Sequence, residues 1–257
     1  MSRTLADLGI DVDLRTAPWH YPGPAAPTSG LLHDGTFRPL RHDGATWTDE
    51  DAVGLDELLH ASRADGVAER QAVVAIGSNA SPAVVHRKFA RLGVSTTVPM
   101  VHGVLRGIDV AYIPRVNPAG YVAAVPRTRR DARSAVVVSL LTPQQAAALD
   151  ETEQNYARRV GGDDLDLPGH AGTWTMYVSQ LGAIADDAGT IVPHGTQESL
   201  WALLRSDVPL AALAGGGDHR DVARRLAADE HLREGVRARL LERGMTRRTG
   251  LEHLPPA

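Results

Sequence analysis

The chain has 257 residues, of which 43% are hydrophobic and 23% are charged, and its formal net charge is −4. These values are typical of a soluble globular protein that buries a sizeable core. Cysteine is absent, which excludes disulfides, thiolate zinc sites, iron–sulfur clusters and cysteine nucleophiles. We expect a cytoplasmic protein without a membrane span, since neither a signal-peptide pattern nor a long uncharged run is found.

Lys88 is the only lysine of the chain. A phosphate-binding P-loop ends in Gly-Lys-Ser/Thr, and a pyridoxal enzyme needs a Schiff-base lysine in a pocket. Lys88 stands between Arg87 and Phe89, a context that fits neither chemistry.

The predicted elements divide the chain into three parts. Residues 1–70 have little periodicity apart from a short helix near 55–62, and we predict an N-terminal extension that packs on or covers the core. Residues 71–205 form the predicted core domain. Residues 206–257 form a C-terminal helical extension, with one arginine-rich helix over 221–243.

The core begins with an apolar run at 71–76 that predicts a buried strand, followed by a turn and a helix. Ser81 is a suitable N-cap, Pro82 a natural first helical residue, and Gly93 a helix end. Further strands are predicted at 100–105, 108–113, 120–125, 134–141 and 173–180. Helices are predicted from Thr142 to about Asn155, with a capping box, and near 198–204.

The turn Gly77-Ser78-Asn79 is the first candidate site. Glycine permits a sharp reversal of the backbone, and successive N–H groups beside a helix N-terminus can bind a carboxylate or phosphate. The same tripeptide also makes an ordinary connection between a strand and a helix, so the turn alone leaves both interpretations open.

The second candidate is Glu153, four residues after Leu149 on the predicted helix. Residues four apart share a helix face, so an inward Leu149 places Glu153 inward too, while Asp150 and Glu151 turn away. A carboxylate carried toward an apolar interior is suited to proton transfer. The alternative is a solvated acidic surface.

Together the two motifs resemble those of the γ-glutamylcyclotransferase superfamily, Tyr-Gly-Ser-Asn and Leu-Asp-x-x-Glu-Gly. They stand here as Ile76-Gly77-Ser78-Asn79 and Leu149-Asp150-Glu151-Thr152-Glu153-Gln154. The resemblance covers residues 71–204 and implies an α+β fold, a mixed barrel-like β-sheet flanked by helices.

The resemblance also implies a reaction without metal or cofactor, on a small-molecule amide. The amine of a γ-glutamyl group attacks its own γ-carbonyl, releasing 5-oxoproline and an amine, with Glu153 as general acid and base. The implied substrate-binding residues are Ile76, Gly77, Ser78, Asn79, His102 and Tyr156, where His102 is included because its predicted strand lies between the two motifs.

Two residues and one spacing depart from the family pattern, and they leave alternatives open. Ile76 replaces the tyrosine of the first motif and lacks its hydroxyl, and Gln154 replaces the glycine of the second. Tyr156 also follows Glu153 sooner than the family's downstream tyrosine does. A related amide hydrolase or an inactive ligand-binding protein is therefore the alternative function. The order of elements says nothing about the oligomeric state.

A second resemblance is to hydroxymethyl-pterin pyrophosphokinases. It is carried by residues 74–82 and by the acidic pair Asp164 and Asp166, whose spacing suits magnesium. The basic, tryptophan-containing run that this family has before its acidic pair is missing, so an ATP-dependent transferase is the weaker alternative.

Histidines and arginines supply the remaining candidates. The eleven histidines show no paired spacing typical of a metal site, and no Gly-x-Ser-x-Gly nucleophile motif is present. Arginines cluster at 127–133 and 224–248, but the acidic total charge and the interleaved acids favour a solvated face over nucleic-acid binding.

Overall fold

The computed structural model describes residues 2–170 and 172–257, and the fold is α+β. The strands in this part of the chain are β1 (Arg3–Thr4), β2 (Gly30–His33), β3 (Thr36–Pro39), β4 (Arg41–His42), β5 (Trp47–Thr48), β6 (Gln71–Ala75), β7 (Val98–Val116), β8 (Val122–Leu141), β9 (Tyr156–Gly161), β10 (Leu165–Asp166), β11 (Trp174–Ser179), β12 (Ala183–Ile184) and β13 (Thr246–Arg247). The helices are α1 (Leu55–Ala61), α2 (Pro82–Leu92), α3 (Pro143–Thr152), α4 (Gln197–Leu204), α5 (Val208–Ala214), α6 (His219–Ala228) and α7 (Glu230–Glu242).

One large mixed sheet organises the molecule, in the order β1-β3-β2-β7-β8-β6-β11-β9, with β10 added to β7. The β6–β11 pair is parallel, and the other pairs of this sheet are antiparallel. Within the described residues no pairing joins β1 to β9, so the hydrogen-bonded sheet is not closed. The first seventy residues contribute three of its strands, because β2 pairs with β7.

The longest strands, β7 and β8, replace four shorter predicted ones. Their pairing shifts register between Arg106 and Ile108 and again between Tyr112 and Val116. Gly107, at φ +72°, occupies the first irregularity. A bulge bends a strand and breaks the alternation of its side chains, so the sequence pattern indicated strand ends where the strands continue.

Both predicted helix starts of the core are confirmed. Pro82 is the first residue of α2, and Gly93 ends it in the left-handed conformation at φ +68°. The capping box of α3 joins Thr142 and Gln145 in both directions. That helix ends at Thr152 instead of near Asn155, so Glu153, the next residue, has a non-helical backbone conformation.

The predicted helix at 198–204 is confirmed as α4, whereas the single helix predicted over 221–243 is wrong. Asp229 ends α6 and caps α7, its side chain accepting hydrogen bonds from the N–H groups of His231 and Leu232. These helices enclose a core with Trp201, Leu226 and the Tyr112 end of β7. In the described part of the chain, no helix has the length and apolarity needed to cross a bilayer.

Candidate functional site

A cavity of about 600 Å³ lies where the turn after β6, the helix α2 and the end of α3 meet. The N-terminal extension closes one side, through residues 12–15 and Tyr21. Of the residues named by the sequence motifs, Ile76, Ser78, Asn79, Glu153 and Tyr156 line this cavity. The structure therefore brings together two motifs that are more than seventy residues apart in the chain.

The turn after β6 is a single 3₁₀ turn, Gly77–Ala80. Gly77 adopts φ +80°, and any side chain there would collide with the Tyr21 hydroxyl, so glycine is required at this position. Asn79 is buried within the turn. The Tyr21 hydroxyl lies directly against this turn.

Glu153 directly follows α3 as its C-cap residue, with φ −108° and ψ 47°. Its side chain is only 14% exposed. The Oε1 atom accepts hydrogen bonds from Asn79 Nδ2 at 3.0 Å and from Lys88 Nζ at 2.8 Å. Among the described residues nothing donates to Oε2, so one carboxylate oxygen is fixed and the other is free.

Lys88 is the functional candidate that the sequence interpretation missed. Its ammonium donates to Asn79 Oδ1 at 2.8 Å as well as to Glu153, closing a three-membered network of hydrogen bonds. Its side chain is 17% exposed. The available signal was the helical spacing from Val84, which places both side chains on the face of α2 that lines the cavity.

Tyrosines form part of the lining of this cavity. Tyr156, the first residue of β9, donates from its hydroxyl to the Ala124 carbonyl at 3.0 Å. Burial raises the pKa of Tyr156 well above its ordinary value, and it raises the pKa of Tyr121 to about 12. These side chains are therefore neutral phenols across the physiological range.

The charged side chains around the cavity are mainly cationic. Arg15 pairs with Asp13 at 3.0 Å, and Arg115 donates to Asn155 at 2.8 Å. The full charged set consists of Arg15, Arg87, Lys88, Arg91 and Arg115 against Asp13, Glu151 and Glu153. Most of these cations already have acidic partners, since Arg87 pairs with Asp11 and Arg115 with Glu234, so the lining offers a ligand carboxylate hydrogen-bond donors and no large excess of positive charge.

His102 and Gly77 line a second cavity, of about 530 Å³, and the structure does not bring them onto the lining of the first. His102 accepts or donates one hydrogen bond through Nε2, at 2.9 Å from the Ala26 carbonyl oxygen. The same cavity holds His194, whose pKa is lowered by burial. Ile76 and Ala124 form the wall that the two cavities share.

The weaker candidates lie elsewhere. Asp164 and Asp166 are exposed beside β7, with Asp166 paired to Val104 in the β10–β7 register, and neither lines a cavity described above. Across residues 2–170 and 172–257, no group of three or more histidine and acidic side chains is arranged to hold a metal ion. Arg129 and Arg130 are exposed on β8.

Comparison with known proteins adds little to this geometry. No protein-family model matches the sequence, and no curated protein matches it. A solution structure from Arabidopsis thaliana is similar over 43% of this chain, with 17% identity and a TM-score of 0.31. The match spans 62% of that protein's length, and a likeness at this level supports no conclusion about function.

Proposed function

We propose that the protein is a divergent γ-glutamylcyclotransferase-like enzyme that cleaves a γ-glutamyl-type amide by intramolecular attack of the amine. The observation that supports this most directly is the state of Glu153. Its carboxylate lies inside a cavity large enough for a small molecule, Oε1 is held by Asn79 and Lys88, and Oε2 is free. A base held in this way is oriented for proton transfer to a ligand in the cavity.

The proposed reaction is balanced without water. The α-amino nitrogen of the substrate forms a bond to its own γ-carbonyl carbon, and the bond from that carbon to the leaving nitrogen breaks. Glu153 accepts a proton from the attacking nitrogen and returns it to the leaving nitrogen, so the products are 5-oxoproline and an amine. Closure of a five-membered ring gains from proximity, which leaves proton transfer and oxyanion stabilisation to the protein.

The other residues of the cavity have supporting roles in this proposal. The arginines that line the cavity are suited to bind the α-carboxylate of a γ-glutamyl group, and Ser78 and Asn79 line the same cavity as Glu153. Tyr156 lines it too, with its hydroxyl bonded to the Ala124 carbonyl. The proposal includes the barrel-like curvature implied by the resemblance, a small-molecule substrate and a cytoplasmic location.

The test is 5-oxoproline release from a panel of γ-glutamyl amines and dipeptides by the wild type and by Glu153→Gln. Glutamine retains the volume and the hydrogen bonds but cannot carry the proton, so we expect kcat to fall about a thousandfold or more. Thermal unfolding should change little. The matched control is Glu151→Gln, an exposed carboxyl on the same rim, for which kcat should stay within about twofold.

The products distinguish this proposal from the related functions. Free glutamate in place of 5-oxoproline would identify an amide hydrolase. Ligand binding without turnover would identify an inactive relative. A Glu153→Gln variant with full activity would rule out the assigned base.

A further inference from the structure

Tyr21 enters the cavity from outside the core, on the N-terminal extension. It directly follows the 3₁₀ turn Pro18–His20, and its ring is buried and stacked on Tyr121 with centroids 4.3 Å apart. The preceding Trp19 packs under the guanidinium of Arg224 on α6, 5.0 Å from the ring centroid. The C-terminal extension thus holds the segment that carries this tyrosine.

The hydroxyl of Tyr21 has an unusual set of partners. Its oxygen accepts the backbone N–H of Ala124 at 2.7 Å and lies directly against Gly77 of the turn. A phenol offers one proton and two lone pairs. The Ala124 amide occupies one lone pair, and within the described residues no group accepts the proton.

The surroundings keep this hydroxyl at the site as a neutral donor. Gly77 has no side chain to displace it, and Ile76 brings no competing hydroxyl from the strand. Burial raises the pKa of Tyr21 above its ordinary value of 10.0, so the proton is retained at physiological pH. Tyr21 and Glu153 line the same cavity, so a ligand that fills it would contact both side chains.

We propose that Tyr21 is a catalytic residue whose hydroxyl donates a hydrogen bond to the γ-carbonyl oxygen of the substrate. This inference rests on the proposed function. As the new C–N bond forms, negative charge develops on that oxygen, and a fixed donor stabilises it more than it stabilises the ground state. The hydrogen bond that the hydroxyl accepts from the Ala124 amide polarises the phenol and strengthens its donation.

The experiment compares Tyr21→Phe with Tyr112→Phe in the full chain. Each change deletes one phenol oxygen that accepts a backbone N–H at 2.7 Å, from Ala124 and from Gly195 respectively, and of the two only Tyr21 lines the cavity of Glu153. We expect kcat for 5-oxoproline release to fall about 100-fold to 1000-fold in Tyr21→Phe, with KM little changed. In folded Tyr112→Phe we expect kcat within about twofold of the wild type.

A second substitution covers the case in which Tyr21→Phe does not fold, as judged by thermal unfolding. Site-specific 3-fluorotyrosine at position 21 keeps the oxygen and its bonds but makes the hydroxyl a stronger donor. We expect kcat to change by at least about twofold at this position and not when the same residue replaces Tyr112, which lies outside both cavities.

The outcomes separate this inference from the proposal on which it rests. If the wild type releases 5-oxoproline and the changes at position 21 leave kcat unaltered, the role of Tyr21 is overturned and the proposed function stands. If the wild type and every variant release none, the proposed function fails, and the assigned role of Tyr21 fails with it.

Discussion

Two partly buried ion pairs of similar length have very different surroundings. Asp49 Oδ2 lies 2.7 Å from Arg38 Nη1, and Glu153 Oε1 lies 2.8 Å from Lys88 Nζ. Asp49 Oδ1 accepts two backbone N–H groups, from Asp51 and Val53, while Oδ2 takes the guanidinium. Both of its oxygens are therefore satisfied by the protein.

Glu153 differs because all its contacts converge on one oxygen, and its other oxygen faces a cavity. Buried polar groups are normally satisfied, so a carboxylate that is held on one side only needs a partner that the fold does not supply. The comparison indicates that Asp49 stabilises a turn, whereas Glu153 is positioned for a ligand.

The largest stability effect is expected at the Asp49–Arg38 pair, in which the protein bonds both carboxylate oxygens. Asp49→Ala leaves Arg38 and two backbone N–H groups without their acceptor, and we expect a loss of about 3 kcal/mol in the free energy of unfolding. For a chain of this size that corresponds to a melting temperature lower by roughly 6–12 °C. Differential scanning calorimetry measures it.

The control for this change is Asp51→Ala, which removes an exposed carboxylate from the same turn and should lower the melting temperature by less than about 2 °C. The kcat of folded Asp49→Ala should equal that of the wild type. If Asp49→Ala instead lost most of its kcat at unchanged stability, Asp49 would have a functional role, and the contrast drawn between the two ion pairs would be wrong.

A smaller effect, on rate, is expected from Lys88→Met. Lys88 fixes Glu153 and Asn79 together, and without its ammonium the carboxylate keeps only the Asn79 contact in this network. We expect kcat to fall about tenfold, because a base that samples several orientations is less often aligned. Steady-state kinetics give the value, with KM as the internal comparison.

The conservative variant Lys88→Arg separates positioning from simple packing. A guanidinium retains the charge and donors, so it should recover part of the lost kcat, although its geometry differs from that of an ammonium. Equal kcat in Lys88→Met and the wild type would show that Lys88 does not position the base.

Local patterns were sufficient for many elements of the fold. Pro82, Gly93 and the Thr142 capping box are short-range signals, and the helices begin or end where those residues stand. The bulge at Gly107 and the division of the last helix at Asp229 depend on pairing and packing, which a single sequence pattern does not record.

The candidate site was predictable only where its residues belong to a motif. The sequence motifs identify Asn79 and Glu153, and in the structure Asn79 Nδ2 donates a hydrogen bond to Glu153 Oε1 at 3.0 Å. Lys88 was set aside because it fits no lysine motif, and Tyr21 lies in a segment without periodicity. Their positions follow from the packing of the extension and α2 against the core, which is information about tertiary contacts.

The smallest expected effect is the change with pH in the stability that Asp49 contributes. Burial raises the pKa of Asp49, but the hydrogen bonds from Arg38 and from the amides of Val53 and Asp51 outweigh it, so the pKa lies below 3.8 in the folded state. A lowered folded pKa contributes stability that is present above 3.8 and is lost as the pH falls through the folded value. The free energies of urea unfolding of wild type and Asp49→Asn should therefore differ by a constant amount of about 1 kcal/mol from pH 7 to about pH 5, and this difference should shrink as the pH falls below 3.8. A difference that grew on acidification would mean that Asp49 is protonated more readily in the folded chain, and the turn would not be held by its ionised form.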